Sequence, residues 1–161
     1  MSKPYSEILE GMPVNRFAPG ERHEQICGRL HEWVQAGLGT SGAARLLVRR
    51  SEIGLSFNTT VCPDLALVTV ATGKLWLAAE VISSADHHTD TVLKKELYEQ
   101  LKLPRLWMID PRYDNVEVYH GTGYGLSLKE ILAGREVLQE KLLPELVLTV
   151  ADLFRAAPGQ E

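Results

Sequence analysis

Two apolar runs, residues 64–71 and 75–82, are separated only by Thr72-Gly73-Lys74, and they constrain the fold more than anything else in the chain. A short glycine-centred connection between two strand-like segments is a hairpin signal. Each run carries an isolated acid: Asp64 opens the first, and Glu80 is the sole ionisable residue among Trp76, Leu77, Ala78, Ala79, Val81 and Ile82. An unpaired buried carboxylate is expensive, so each needs a partner, a proton or a metal. If the hairpin pivots near Gly73, residue 66 faces 80 and residue 64 faces 82. Asp64 and Glu80 then lie diagonally on one face, whereas a one-residue slip would separate them. Converging carboxylates form a hard-oxygen site suited to magnesium or manganese.

A helix is expected over 21–36, where His23, Ile26, Cys27, Leu30, Trp33 and Val34 recur on one side at about 100° per residue, ended by Gly37 and Gly39. Strands are expected over 46–50, 56–60, 106–110 and 116–120, the third apolar enough to be central. Residues 126–132 read as a helix by propensity or a strand by neighbourhood, and 151–156 as a short closing helix. Helix, strands, helix, strands is the order of an α/β fold, a central mixed sheet flanked by helices. At 161 residues, with no internal linker, the chain is expected to form one domain spanning 1–161.

Lysine and arginine number 17 against 21 acids, a net charge of -4, which disfavours tight sequence-blind binding of nucleic acid. A local basic patch at Arg45, Arg49 and Arg50 remains open, and a metal site would screen phosphate by itself. Cys27 and Cys62 are too few for a disulfide framework, no apolar run reaches membrane-spanning length, and residues 1–11 carry Glu7 and Glu10 where a signal peptide would be basic then apolar. A cytoplasmic protein without membrane contact is expected.

A second helix is expected over 90–102, stopped by Pro104, with Leu93, Leu97 and Leu101 as its buried stripe. Asp90 and Lys94 fall within about 60° of that stripe's centre, Tyr98 lies at its edge, and Lys95 and Lys102 point outward. Lys94 either snorkels to the surface or presents its ammonium to the carboxylates. Asp90 either caps the helix or joins the site. His23 on an apolar stripe is more simply a satisfied core histidine, and Glu24 points about 120° away, so it is not expected to be a ligand. His87-His88 reads as a solvated loop, and Ser83-Ser84 as a turn or cap. Trp76 and Trp107 read as core or interface residues.

The series Pro63-Asp64, Glu80-Val81-Ile82-Ser83-Ser84, then Asp90, Lys94 and Tyr98 at four-residue steps, then Trp107-Met108-Ile109-Asp110-Pro111, resembles the Uma-two family of restriction-endonuclease-like proteins in the PD-(D/E)XK nuclease superfamily. The likeness runs over nearly the whole chain, through His23-Glu24 to Leu143-Pro144-Glu145-Leu146. It implies a restriction-endonuclease-like core and a magnesium- or manganese-dependent phosphodiesterase. Asp64 and Glu80 would be ligands, the Val81 carbonyl a third, and Lys94 the cation supporting the nucleophile or transition state. His23, Asp90 and Tyr98 would be accessory. The superfamily's lysine ordinarily stands two residues after the glutamate, where this chain has Ile82, and the family pattern puts Lys94 in its place. DNA is the implied substrate, and cutting both strands implies a homodimer. The rival expectation is a nuclease fold that no longer cleaves and serves as a binding module; a weaker one is a metal-dependent hydrolase of something smaller.

Overall fold

The computed structural model describes residues 2–83 and 87–156; Ser84 lies outside the described residues. The elements run β1 (Tyr5–Leu9), β2 (Met12–Arg16), α1 (Glu21–Gly37), β3 (Ala44–Leu46), β4 (Ile53–Ser56), β5 (Thr59–Val61), β6 (Leu65–Thr69) and β7 (Leu75–Val81). A π-helical turn, Thr89–Lys94, leads into α2 (Lys95–Gln100). Then come β8 (Arg105–Asp110), β9 (Asn115–Thr122), β10 (Gly125–Ala133), β11 (Val137–Glu140), β12 (Leu143–Thr149) and α3 (Val150–Phe154).

The central sheet has the order β10-β9-β8-β7-β6-β3. It is mixed, because β7 and β8 are parallel while the other neighbours are antiparallel. A parallel neighbour needs a crossover, which the π turn and α2 supply. Both faces of the middle strands are covered. On one, α1 lays Ile26, Leu30 and Val34 against Leu65, Leu67, Leu77, Val81, Trp107 and Ile109. On the other, Leu97, Tyr98 and Leu103 meet Ala78, Leu106 and Met108. Each large side chain so buried contributes roughly 1.5–3 kcal/mol, which is why these apolar runs sit at the centre.

Several boundaries differ from the sequence expectation. The hairpin register is shifted by two: Leu65 pairs Ala79, Ala66 pairs Ala78 and Leu67 pairs Leu77, with a bulge at Leu67/Val68. The connection occupies all of 70–74, so carrying the register one step further sets Asp64 directly opposite Glu80. The strand expected at 46–50 ends at Leu46, because the chain turns out of the sheet through Arg50, whose φ is 58°. The one expected at 56–60 is a hairpin of β4 and β5 turning at Phe57 and Asn58. Residues 126–132 belong to β10, a strand.

The buried stripe expected on the second helix is displaced. Leu93 and Leu101 are 38% and 40% exposed, while Asp90, Lys94, Leu97 and Tyr98 are buried. A π turn closes i to i+5 and so advances each residue by less than an α-helix does, which carries the inward direction from Leu93 to Lys94. Trp33, placed on the α1 stripe, is 38% exposed. His87 and His88 are exposed but helical.

Unforeseen in the sequence were the terminal hairpins β1–β2 and β11–β12. The first joins β5 and β4 in a separate four-stranded sheet, order β2-β1-β5-β4. Leu9 pairs Met12 across the turn, and both turn residues have positive φ, Glu10 at 51° and Gly11 at 82°. That geometry matches the right-handed twist of the flanking strands.

Candidate active site

Asp64 precedes β6 and is 3% exposed. Its Oδ2 accepts the Val81 N–H at 2.8 Å, and its Oδ1 accepts Arg50 Nε at 3.1 Å. Burial works to raise its pKa, but the hydrogen bond and charge of His23, Arg50 and the Val81 amide outweigh it and hold the carboxyl low. His23 reaches from α1 to put Nε2 2.9 Å from the Val81 carbonyl oxygen and 3.5 Å from Asp64 Oδ2. Burial disfavours its charge, yet Asp64 raises its pKa overall. The Val81 peptide is thus gripped at both ends, its N–H by Asp64 and its carbonyl by the His23 ring.

Glu80, 2% exposed, sits on β7 on the α2 side of the sheet. Its Oε1 accepts the Tyr98 hydroxyl at 2.7 Å and lies 2.5 Å from Lys94 Nζ. The ammonium lies 2.7 Å from Glu7 Oε2 as well. Lys94 is fully buried, and its proton is held more tightly than usual despite desolvation, because Glu80, Glu7 and Asp90 surround it. Burial pushes the Glu80 carboxyl up, with Asp64, Glu7 and Asp90 adding to the rise and Lys94 opposing it. Glu7 goes the other way, since Lys94, the Cys62 amide and Arg16 overcome its desolvation.

Glu7 and Arg16 are, with the Arg50 that pairs Asp64, the residues that sequence reasoning missed. Glu7 is fully buried on β1, accepts the Cys62 N–H at 2.7 Å, and is hydrogen-bonded to the Arg16 guanidinium. Arg16 also donates to Asp90 Oδ1 at 2.7 Å, and Asp90 Oδ2 accepts the Ser83 N–H at 3.3 Å. Asp90 therefore braces the end of β7 against the amino-terminal hairpin rather than capping a helix. No local signal marks Glu7, whose partners Cys62 and Lys94 are far away in sequence; the only clue was an acid between Ser6 and Ile8.

The run Arg45, Arg49 and Arg50 does not act as one patch. Arg45 lines a groove with Lys74 and Trp76, while Arg49 and Arg50 both pair Glu24. Glu24 is engaged by Ser2 as well. Trp107 is buried in the core, and Trp76 is partly buried beneath the Arg105 guanidinium. Ile82 is 5% exposed in the α2-side core.

Ligand atoms of His23, Cys27 and Asp64 lie within 4.8 Å of one another. Arg50 Nη2 stands among them, 3.3 Å from His23 Nδ1 and 3.7 Å from Cys27 Sγ, and burial keeps the thiol protonated by raising its pKa. That chemistry suits a satisfied polar cluster better than a soft-metal site. Asp64 and Glu80 offer carboxylate oxygens and Val81 a carbonyl oxygen, donors of the type a hard divalent cation takes. Among the described residues no helix is long and apolar enough to cross a membrane.

Residues 2–151 match the Uma2 family, described as "Putative restriction endonuclease". The chain belongs to the Uma2 family. A matching solved structure is that of "a putative nuclease belonging to DUF820" from Anabaena variabilis, 18% identical, covering 95% of this chain and 91% of that one with a TM-score of 0.77. At that identity the likeness concerns the fold, and it gives this Uma2 member the restriction-endonuclease-like α/β architecture with a central mixed sheet flanked by helices. No curated protein matches the chain significantly.

Proposed function

We propose that this Uma2 chain is a magnesium- or manganese-dependent endonuclease that hydrolyses DNA phosphodiester bonds, folded as one domain and working as a cytoplasmic homodimer. The observation that carries the reading is the ammonium of Lys94, buried 2.5 Å from Glu80 where Ile82 leaves the usual lysine position apolar. Asp64, Glu80 and the Val81 carbonyl would hold the cation, which would lower the pKa of a bound water and offset charge on the scissile phosphate.

The chain's own residues do the rest. Lys94 brings a fixed positive charge to the carboxylate face, where it can orient the attacking water and stabilise the charge that develops on phosphorus-bound oxygens. Glu7 keeps that ammonium protonated and in place. Tyr98 holds Glu80 Oε1, and His23 with Asp64 fixes the Val81 peptide, so the oxygen donors need little rearrangement on binding. Two copies supply two sites, one for each strand.

The second reading, a nuclease fold that binds without cutting, is favoured by the net charge of -4 and by Ile82. Plasmid nicking in magnesium or manganese distinguishes the two. Wild-type protein should nick, and Asp64→Asn should stay folded without nicking. Equal nicking by both would mean that Asp64 is misassigned or a contaminant is being measured, and a folded wild type that leaves plasmid intact in both metals would favour the binding module. A manganese soak with anomalous scattering should place the ion between Asp64 and Glu80.

A further inference from the structure

Arg50 stands on a backbone conformation that residues with a Cβ disfavour, φ of 58°, and such strain concentrates at functional positions. The Arg50 N–H donates to the Pro63 carbonyl at 3.2 Å and the Ser51 N–H to the Val48 carbonyl at 3.1 Å. This turn reverses the side chain onto the site. Nε donates to Asp64 Oδ1 at 3.1 Å, Nη2 donates to Glu24 Oε1, and the Tyr5 ring lies 5.9 Å from the guanidinium carbon.

The two anions that hold Arg50 differ in their access to solvent. Asp64 is 3% exposed, whereas the Glu24 side chain is 26% exposed and lines a surface cavity of about 830 Å³ with Arg50, Gln25 and Lys3. An incoming anion can therefore replace Glu24 at Nη2 without disturbing Nε on Asp64. A phosphate oxygen accepts from Nη2 as a carboxylate oxygen does, and the planar guanidinium fork lets one prong take it while the other stays on Asp64. A residue serving only to neutralise Asp64 would need neither the left-handed backbone nor a second, exchangeable anion facing solvent.

We propose that Arg50 grips a backbone phosphate of bound DNA beside the carboxylate site, with Glu24 holding the guanidinium until the phosphate displaces it. The inference rests on the endonuclease reading for the identity of the ligand, but its test does not depend on cleavage. Fluorescence anisotropy of a labelled mixed-sequence DNA duplex, in calcium so that an oxygen-seeking cation is present, reads the affinity of wild type and variants.

Arg50→Gln should weaken binding roughly tenfold, the scale of one lost charge-assisted contact. It should also flatten the slope of log affinity against log salt by about one phosphate's worth. Arg50→Lys, which keeps the charge and loses the fork, should retain the slope and lose part of the affinity. Glu24→Gln should tighten binding, and that gain should disappear when Arg50→Gln is present as well. A folded Arg50→Gln protein that binds with wild-type affinity and salt slope would overturn the proposal, as would a wild type that does not bind the duplex. Should Arg50→Gln fail to fold, unchanged affinity in Glu24→Gln would overturn it equally. Loss of plasmid nicking with this Arg50 dependence intact would count against the enzyme alone, and nicking without it against the Arg50 assignment alone.

Discussion

Lys94 and Lys95 are neighbours in sequence and opposites in environment. Lys94 is buried between Glu7 and Glu80, while the Lys95 ammonium lies over the Tyr119 ring at 4.5 Å. Lys94→Ala should lower turnover by about a hundredfold or more, and Lys95→Ala by less than about twofold, in a steady-state cleavage assay run below both melting temperatures. Removing Lys94 also takes the ammonium from between Glu7 and Glu80, leaving Glu7 to Arg16 and the Cys62 amide and Glu80 to the Tyr98 hydroxyl, so its melting point should drop too. The pH dependence of stability has a definite sign. Glu80 binds its proton more tightly folded than unfolded, because burial raises it, so its contribution is complete below the ordinary glutamate range and lost as pH climbs through the raised value. His23, also raised, acts in the same direction from its ordinary range upward, whereas Asp64, held low, stabilises at neutral pH and stops doing so only in strong acid. Melting temperature should therefore fall between about pH 5 and pH 8, and Glu80→Gln should flatten that fall. Asp64 and Glu80 were legible because an acid in an apolar strand demands an explanation. Glu7, Arg16 and Arg50 were not, since each owes its place to partners brought together only by the fold.

Elements with a strong period could be read, and those whose identity depends on a neighbour could not. The α1 stripe gave a boundary within one residue, and the apolar hairpin gave strands β6 and β7. Its register was off by two because the connection takes in all of 70–74 and centres before Gly73, which an apolar run leaves unmarked. The π turn misled for a similar reason: a constant 100° step buries Leu93, and the wider turn buries Lys94. The β1–β2 hairpin buries Glu7 and Arg16 while Ile8 and Met12 stay exposed and so lacked contrast, although Glu10-Gly11 is a recognisable turn pair. Glutamate at φ 51° is poorly matched to that turn, and asparagine is favoured there before glycine. Glu10→Asn should stabilise by roughly 0.4–1 kcal/mol, read as a rise of about 1–4 °C in melting temperature.

Across the whole molecule, the candidate site draws on residues from Glu7 to Tyr98, and the central sheet continues well past it. Strands β9 and β10 extend the sheet away from β7, with β8 between, and the tip joining them carries a fully exposed Tyr124. Inserting a short Gly/Ser segment between Gly123 and Tyr124 should leave plasmid nicking and melting temperature near wild type, since hairpin tips accept added length at little cost. Loss of nicking with the fold intact would tie the far end of the sheet to the chemistry. The separation has an evolutionary consequence. Because the carboxylates and their cations are braced by the first two-thirds of the chain, the exposed tip between β9 and β10 can drift, lengthen or acquire new contacts while Val116, Val118 and Leu132 stay fixed in the core, so lineages can diversify what they touch without rebuilding the site.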